Sequence, residues 1–222
     1  MALGGGMSVQ DAVAKEWEEL TDSPLLEAYG LSETSPAATI NPVDGSHRRG
    51  SIGLPLPNTD IKIFDDERKE VAQGEPGEIG IKGPQVMQGY WERADETANC
   101  MHGEYFLTGD IGVMDEDGFF KIVDRKKEMV LVSGFNVYPN EVEKAISEHE
   151  KVLEVGVCGG KNEDGTEFVQ AFVVKRDNSL TKEDIIAHCR ENLTNYKVPK
   201  VVHFRDELPK SNVGKILRRL LK

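Results

Sequence analysis

Apolar and polar residues are spaced differently in successive parts of this chain. In the first 45 residues, an apolar start runs into Gly4-Gly5-Gly6 and is followed by a helical pattern and then a short strand at residues 25–29. The apolar positions of the predicted helix are Val9, Val13, Trp17 and Leu20, with Ser8 as its cap. Strand, glycine turn, helix and strand in this order predict part of a parallel α/β layer, where ligands bind beyond the carboxyl ends of the strands.

Short strands separated by turns dominate residues 46–124. The predicted strands are residues 60–64, 77–82, 85–91, 104–114 and 119–123. Asp117-Gly118 indicates a hairpin between the last two, because this pair favours the tight turn that joins antiparallel strands. The spacing predicts a small barrel or a twisted antiparallel sheet.

Five consecutive charged residues, 124–128, follow the last of these strands. A second strand, predicted at residues 129–132, begins directly after them and stops at Ser133-Gly134. Because such a run cannot be buried without partners, we expect an exposed hinge between two packed bodies.

The rest of the chain has the pattern of a small α+β domain. Helices are predicted at residues 140–148 and 182–193, the second capped by Thr181. Strands are predicted at residues 152–158, 168–175 and 201–204, with two or three of them antiparallel. The predicted fold class is therefore α/β plus α+β, with a larger part at 1–124 (an α/β piece, 1–45, and a β subdomain, 46–124) and a smaller domain at 125–222.

Composition narrows the classes of function. The 222 residues carry a net charge of −12, which argues against nonspecific binding of nucleic acid. The basic tail could meet an anionic ligand or could be a solvated helix end, and both interpretations stay open. Three cysteines without CxxC spacing suit free thiols in a reducing compartment, and the five histidines form no metal-binding pair. Since neither a long apolar run nor a secretory leader is present, we predict a cytoplasmic protein.

Common catalytic and phosphate-binding motifs are absent. Gly214-Lys215 is followed by Ile216 and lacks the earlier glycine of a phosphate-binding loop. The chain also contains neither GxGxxG nor GxSxG.

Five segments together carry a much more specific signal. They are YGLSE (29–33), GEIGIKGPQVMQGYW (77–91), YFLTGD (105–110), IVDRKKEMVLVSGFNVYPNEVE (122–143) and PKSNVGKIL (209–217). In this order they resemble the adenylate-forming superfamily, which includes acyl-CoA synthetases, aryl-CoA ligases, peptide-synthetase adenylation domains and firefly luciferase. The resemblance covers essentially the whole chain, and residues 134–143 and 205–219 look closest to bacterial long-chain fatty acid:CoA ligases.

The resemblance implies an ATP-dependent ligase. Such enzymes join a fatty acid to ATP as an acyl-adenylate and then transfer the acyl group to coenzyme A with release of AMP, using Mg²⁺. It also implies an upstream phosphate loop and acyl tunnel that these residues lack. We therefore expect a C-terminal fragment that is inactive alone and comprises the end of a large AMP-binding domain and a mobile small domain.

The resemblance assigns roles to individual residues. It implies that Lys215 and Glu33 are catalytic, with Glu33 also holding Mg²⁺, and that Asp124 is the hinge. The implied nucleotide-binding residues are Gly4, Gly5, Gly6, Tyr29, Gly30, Ser32, Asp110 and Arg125. Ser133 and Gly134 would let the pantetheine arm of coenzyme A pass close to the backbone. Without the resemblance, these residues would be interpreted as turn glycines, a core aromatic and surface charges.

Two other hypotheses stay open. The enzyme could act on an aryl or short-chain acid, because the acid-selecting walls would lie upstream. A non-catalytic nucleotide-binding or interaction module is the second, although the combination of Glu33, Asp110 and Lys215 argues against it. Peripheral membrane association is compatible with the resemblance, but no amphipathic basic helix requires it. The oligomeric state is not defined by the sequence.

Overall fold

The computed structural model describes residues 1–6, 9, 11–212 and 214–221. The chain divides into two compact units, Met1–Val123 and Asp124–Lys222. The helix cap predicted at Ser8 lies outside the described residues. In the part of the chain that is described, no helix is both long and apolar enough to cross a membrane.

The first unit begins with an α/β layer. Its elements are β1 (Ala2–Gly4), α1 (Asp11–Thr21), β2 (Leu25–Gly30), β3 (Ala37–Ile40) and β4 (Leu54–Pro55). Strands β1 and β2 are parallel, which confirms the predicted strand-helix-strand unit. Strands β3 and β4 continue the sheet in antiparallel pairs in the order β1-β2-β3-β4, so this sheet extends past residue 45, where the sequence placed a boundary.

Helix α1 does not bury the face that its pattern predicts. Val13, Trp17 and Leu20 are exposed, whereas Ala14 is buried. Helix α1 therefore buries a small side chain, whereas Val13 and Leu20 keep more than half of their accessible surface.

The second sheet of this unit carries most of its core. Its elements are β5 (Asp60–Phe64), β6 (Gly77–Lys82), α2 (Ala94–Cys100), β7 (Met101–His102), β8 (Tyr105–Met114) and β9 (Phe120–Arg125). The order is β5-β6-β8-β7, with β9 paired to β8. Alternate residues of the strands form an apolar cluster, which includes Ile61, Ile63, Ile79, Ile81 and Phe120. This is the twisted-sheet alternative of the prediction.

Two local predictions in this sheet were wrong. Residues 85–91 do not form a strand, because a turn closes from the Gly83 carbonyl to the Val86 amide and the Met87 amide then bonds to the Glu33 carbonyl at 2.8 Å. Helix α2 was not predicted, and it has no buried residue, so no apolar periodicity marks it. The predicted hairpin at Asp117-Gly118 is present, with Gly118 at φ +84°.

The second unit is the α+β domain. Its elements are β10 (Val130–Val132), β11 (Phe135–Val137), α3 (Pro139–Ser147), β12 (Val152–Lys161), β13 (Glu167–Lys175), α4 (Lys182–Asn192) and β14 (Val201–Arg205). The predicted helices and the three long strands are all found, and the Thr181 cap is confirmed by its bond from the Asp184 amide. Strand β14 is parallel to β13, since helix α4 supplies the crossover that a parallel pair needs.

The predicted exposure of residues 124–128 was wrong for Asp124, the first of them. Strand β9 continues to Arg125, and a 3₁₀ turn follows at Lys126–Glu128. Asp124 retains only 2% of its accessible surface, whereas Arg125 and Lys127 are exposed. A buried carboxylate needs partners, and those of Asp124 come from distant parts of the second unit.

Candidate active site

The segment after β2 is a tight turn built around a buried hydroxyl. Residues Ser32–Thr34 form a 3₁₀ turn, in which Thr34 is fully buried. Thr34 Oγ1 accepts a hydrogen bond from the Leu31 amide at 2.9 Å and lies 2.6 Å from the Pro36 carbonyl, to which it can donate. Thr34 thereby fixes the backbone that presents Ser32, which is exposed, and Glu33. Thr34 was not among the predicted residues, although a Thr four residues after the end of β2 is a usual turn signal.

Gly30 is required by close backbone packing. A Cβ atom at this position would lie 1.8 Å from the Pro36 carbonyl oxygen, well inside van der Waals contact. Its φ is not in the left-handed region, so the constraint is steric. The predicted contact between Gly30 and nucleotide is therefore not needed to explain the glycine.

The glycine run lies at the end of the neighbouring parallel strand. Strand β1 ends at Gly4, and Gly6 has a φ of +81°. A Cβ on Gly4 would lie 2.9 Å from Val9 Cγ2, and one on Gly5 would lie 3.4 Å from the Ala28 carbonyl oxygen. Because β1 and β2 are parallel, the glycine run and the turn after β2 both follow carboxyl ends of the sheet, where ligands of such sheets bind.

Tyr29 and Asp110 are brought together from opposite ends of the first unit's sequence. The Tyr29 hydroxyl donates to Asp110 Oδ2 at 2.7 Å, across 81 residues. Asp110 lies within β8 directly after Gly109, whose φ is +73°, and its amide donates to Thr108 Oγ1 at 3.1 Å. The bond holds the phenol ring of Tyr29 in one orientation. Two of the predicted nucleotide-binding residues are thus direct neighbours.

Glu33 has a partner that the sequence analysis missed. The Tyr90 hydroxyl donates to Glu33 Oε1 at 2.8 Å. Burial and then this bond to Glu33 raise the pKa of Tyr90 to about 12. Tyr90 lies in the GYW part of a segment predicted to be a strand, and only its proximity to Glu33 in the fold marks it.

A divalent cation fits this carboxylate only with additional ligands. Among the described residues, no group of three or more His, Cys, Asp or Glu side chains could hold a metal ion. Mg²⁺ is commonly bound by one or two carboxylates, waters and substrate phosphates. A single Glu33 carboxylate, half-exposed and oriented by Tyr90, matches that donor set.

The turn of the β10–β11 hairpin contains the two residues predicted to face coenzyme A. Ser133 and Gly134 both have positive φ, at 51° and 84°, which is the conformation of a two-residue type I′ turn. Both are exposed. The turn alone therefore accounts for Gly134, and a ligand role for either residue stays a prediction.

Lys215 directly follows the turn of a hairpin near the end of the chain. The Lys210–Ile216 bridge joins its two sides, and the Ser211 amide donates to the Lys215 carbonyl at 2.8 Å. Gly214 has a φ of +81°. Lys215 is exposed, and its ammonium group forms no hydrogen bond or ion pair within the described part of the chain.

Asp124 belongs to a buried charge cluster of the second unit. Its Oδ1 accepts from the Arg125 amide at 2.8 Å and from Arg218 Nη1 at 3.0 Å, and its Oδ2 accepts from the Asn140 amide at 2.7 Å. Arg218 also bonds to Glu128 at 2.5 Å and to Glu143 at 2.8 and 2.5 Å. We call Asp124, Glu128, Glu143 and Arg218 the Arg218 cluster.

Burial raises the pKa of Glu143, while Arg218 opposes that rise. Burial also tends to lower the pKa of Arg218, but the bond to Glu143 and the charges of Glu143 and Asp124 outweigh it and the pKa is raised. In the sequence, nothing distinguishes Arg218 from Arg219 beside it.

Comparison with known families identifies the class. A model described as AMP-binding enzyme matches residues 1–91, and one described as AMP-binding enzyme C-terminal domain matches residues 141–215. The chain belongs to the AMP-binding enzymes, which confirms the resemblance to the adenylate-forming superfamily.

Comparison with individual proteins gives a more specific similarity than the family models do. The chain is 59% identical to a long-chain-fatty-acid–CoA ligase of Yersinia pestis over 222 residues, which is 100% of this chain and 40% of that protein. It is 42% identical to a 2-succinylbenzoate–CoA ligase of Geobacillus kaustophilus, with 100% of this chain and 45% of that protein covered. The chain thus spans less than half the length of the curated relatives that it matches.

A solved structure supports the fold. The ATP-bound crystal structure of MatB from Rhodopseudomonas palustris matches with a TM-score of 0.89 and 34% identity, covering 99% of this chain and 44% of that chain. The predicted fold class, α/β plus α+β, is confirmed by this similarity and by the observed sheets.

Proposed function

We propose that the protein containing this chain is a long-chain fatty acid:CoA ligase. It forms an acyl-adenylate from a fatty acid and ATP, releases pyrophosphate, and then forms acyl-CoA with release of AMP. The observation that carries this proposal is the Tyr29–Asp110 hydrogen bond beside the turn that presents Glu33. The 59% identity to a long-chain-fatty-acid–CoA ligase favours this substrate over the aryl and short-chain alternatives.

The residues of the first unit are suited to holding ATP. Tyr29 offers an aromatic face for adenine, and Asp110 accepts hydrogen bonds from the ribose hydroxyls. A carboxylate has about four lone-pair sites, so Asp110 can bind ribose while it retains the Tyr29 hydroxyl. Gly6, whose virtual Cβ has no atom within 4 Å, leaves room for the nucleotide, and the backbone of Gly4, Gly5 and Gly30 borders it at the carboxyl ends of β1 and β2. Ser32 offers a hydroxyl to the α-phosphate.

Glu33 would hold Mg²⁺ together with phosphate oxygens and water. When bound, Mg²⁺ supplies positive charge that stabilises the phosphates during transfer. Tyr90 keeps the Glu33 carboxylate in place by its hydroxyl. A hydrogen bond to a metal-ligating carboxylate of this kind typically changes metal affinity by about 10-fold to 100-fold when it is removed.

The second unit supplies the remaining groups. Lys215 provides a positive charge for the adenylation step, and Arg125 provides a second contact to the ribose. Asp124 is the hinge about which the smaller domain rotates, after which Ser133 and Gly134 face the pantetheine arm of coenzyme A. We place the enzyme in the cytoplasm. Its three free cysteines suit a reducing compartment.

Separation of the two half-reactions tests the assignment of Lys215. In the full-length protein, Lys215→Ala should slow acyl-adenylate formation by about 100-fold to 1,000-fold, because one preorganised donor to the transition state is lost. Thioester formation from supplied acyl-adenylate should be largely unchanged. Lys210→Ala is the matched control, since Lys210 lies on the same hairpin but its ammonium pairs with Glu154 at 2.5 Å. Equal losses in both half-reactions would contradict the assignment.

Substrate class and competence need separate measurements. A panel of long-chain, short-chain and aryl acids on the full-length protein should give the highest kcat/KM for long-chain acids. Binding of ATP and of AMP to the same protein should be measurable, whereas a non-catalytic module without a nucleotide site would bind neither. For the 222-residue chain alone, we expect no ATP–pyrophosphate exchange.

A further inference from the structure

The hairpin that carries Lys215 is joined to the second unit by two anchors. The first is apolar. Ile216 and Leu221 pack against a cluster that contains Phe172 and Leu208, and Leu221 keeps only 4% of its accessible surface. A Cβ at Gly156 would lie 2.8 Å from Leu221 Cδ1, which shows how closely the chain end approaches β12. The second anchor is Arg218, which is polar.

Arg218 connects the tail to three separate places in the second unit. Its Nη1 donates to Asp124, the first residue of the unit, at 3.0 Å. The same atom donates at 2.5 Å to Glu128, which lies in the 3₁₀ turn that follows. Its Nε and Nη2 bind both oxygens of Glu143 on α3, at 2.8 and 2.5 Å. Glu143 Oε1 accepts in addition from the Val157 amide of β12 at 2.8 Å. One guanidinium therefore ties the tail to the start of the unit, to a helix and, through Glu143, to the edge strand β12 of the sheet.

The chemistry of this anchor requires arginine. A guanidinium presents five donors in a fixed plane and can serve several carboxylates at once, whereas an ammonium group is a single point charge. The Arg218 side chain is only 13% exposed, and one cation there offsets three carboxylates. Arg219, its neighbour, is exposed and forms no hydrogen bond or ion pair of this kind among the described residues. The two arginines thus provide a natural pair for comparison.

We propose that Arg218 is a positioning residue that fixes the Lys215 hairpin to Asp124 and to α3. Only two residues separate Lys215 from Arg218, and the hairpin between Pro209 and Leu217 is closed by the bond from the Leu217 amide to the Pro209 carbonyl at 2.8 Å. A closed hairpin that is fixed by a buried anchor holds Lys215 in one direction, whereas the same residue on an unanchored tail would adopt many orientations. The inference rests on the proposed function, because it gives Arg218 its effect through Lys215.

A double-mutant cycle in the full-length protein tests this role. Arg218→Met should slow acyl-adenylate formation by about 10-fold to 100-fold, since displacement of a reacting group by about 1 Å is enough for such a loss. Arg219→Met should leave the rate within about twofold of wild type. In a Lys215→Ala background, Arg218→Met should cause no further slowing, because the group that it positions is already absent. The same loss in both backgrounds would overturn the proposal and make Arg218 a merely structural residue.

Hydrogen exchange gives a readout that does not depend on activity. Arg218→Met should increase exchange at the amides of Ser211, Lys215 and Leu217, which the hairpin protects. Amides of β12 and β13 should keep their protection. Loss of protection throughout the unit would contradict positioning of the hairpin. Arg218→Lys should restore little of the adenylation rate, since one ammonium group cannot form the several hydrogen bonds that the planar guanidinium forms.

A second variant guards against unfolding. If Arg218→Met does not fold, combining it with Glu143→Gln removes one of the carboxylates left without a partner, and the cycle is repeated in that background. Lys215→Ala without effect on adenylation would overturn the proposed role of Lys215 and this inference with it. Slow adenylation in Lys215→Ala together with a normal rate in Arg218→Met would overturn this inference alone.

Discussion

The close approach of Gly30 to the Pro36 carbonyl leads to a quantitative prediction. A Cβ at Gly30 would lie 1.8 Å from that oxygen and 2.7 Å from its carbon, whereas ordinary contact begins at about 3.4 Å. Gly30→Ala must therefore displace backbone by more than 1 Å, because the obstacle is main chain and cannot rotate away. Overpacking of this kind costs about 3 kcal/mol or more. The displaced backbone is the turn that presents Ser32 and Glu33.

Gly45→Ala is the matched control for this change. Gly45 has a φ of +95° and no atom within 4 Å of its virtual Cβ. Its replacement should cost about 1 to 2 kcal/mol through backbone strain alone. Both substitutions reduce the freedom of the unfolded chain equally, so this contribution cancels in the comparison.

Urea unfolding followed by tryptophan fluorescence measures both variants. Trp17 and Trp91 are the only tryptophans, and both belong to the first unit, so their fluorescence reports on that unit alone. With a slope of about 2 kcal/mol per molar urea, Gly30→Ala should lower the midpoint by about 1.5 M and Gly45→Ala by less than about 1 M. Equal midpoints for the two variants would refute the steric argument.

Three further predictions concern buried or partly buried side chains. Thr34→Val should destabilise the first unit by about 2 kcal/mol in the same urea assay, because the buried hydroxyl that it removes bonds to two backbone groups. Thr34→Ser keeps the hydroxyl and removes only the methyl group, so it should cost about 1 kcal/mol. Cys100, which is half-buried, should react with a thiol reagent before Cys158 and Cys189, which are buried. Burial also raises the pKa of Cys189 to about 11, and equal reaction rates of the three thiols in the native state would contradict this order. Ultraviolet titration should show that Tyr90, whose pKa burial and Glu33 raise to about 12, ionises later than an ordinary phenol, and its contribution to stability is complete below pH 10 and is lost as the pH rises through about 12. Burial and Asp60 raise the pKa of Tyr105 to about 12 as well, so Tyr90→Phe should lower the amplitude of the late step by one phenol, and an unchanged amplitude would contradict the assignment.

The accuracy of the sequence predictions follows the burial of each element. Strand β5 is largely buried and strand β6 is buried at every position but its last, and their predicted bounds agree with those observed. Helix α2 buries no side chain, so its sequence carries no periodic signal. Segment 85–91 is apolar enough to resemble a strand, but its Met87 amide bonds to a turn more than fifty residues earlier. Local patterns cannot report such a partner.

The same distinction applies to the candidate site. The motifs identified Tyr29, Asp110 and Glu33 because each lies in a segment with a recognisable order of residues. Tyr90 and Thr34 were missed because their importance lies in what they contact. Tyr90 is one of several aromatic residues until the fold brings its hydroxyl to 2.8 Å from Glu33. The resemblance could assign functions to residues, whereas the structure was needed to find what holds them.

The burial of Asp124 restricts how a hinge at this residue could work. Five consecutive charges predicted exposure, but Arg218, 94 residues further along, supplies the counter-charge that makes burial tolerable. The Asp124 carboxylate is fixed to the Arg218 guanidinium and to the Asn140 amide, both in the second unit. Its side chain must then move with that unit, so rotation about the Cα–C bond of Asp124 would strain both contacts. Rotation about the N–Cα bond of Asp124 would strain neither contact, because the side chain and the chain that follows it would move together.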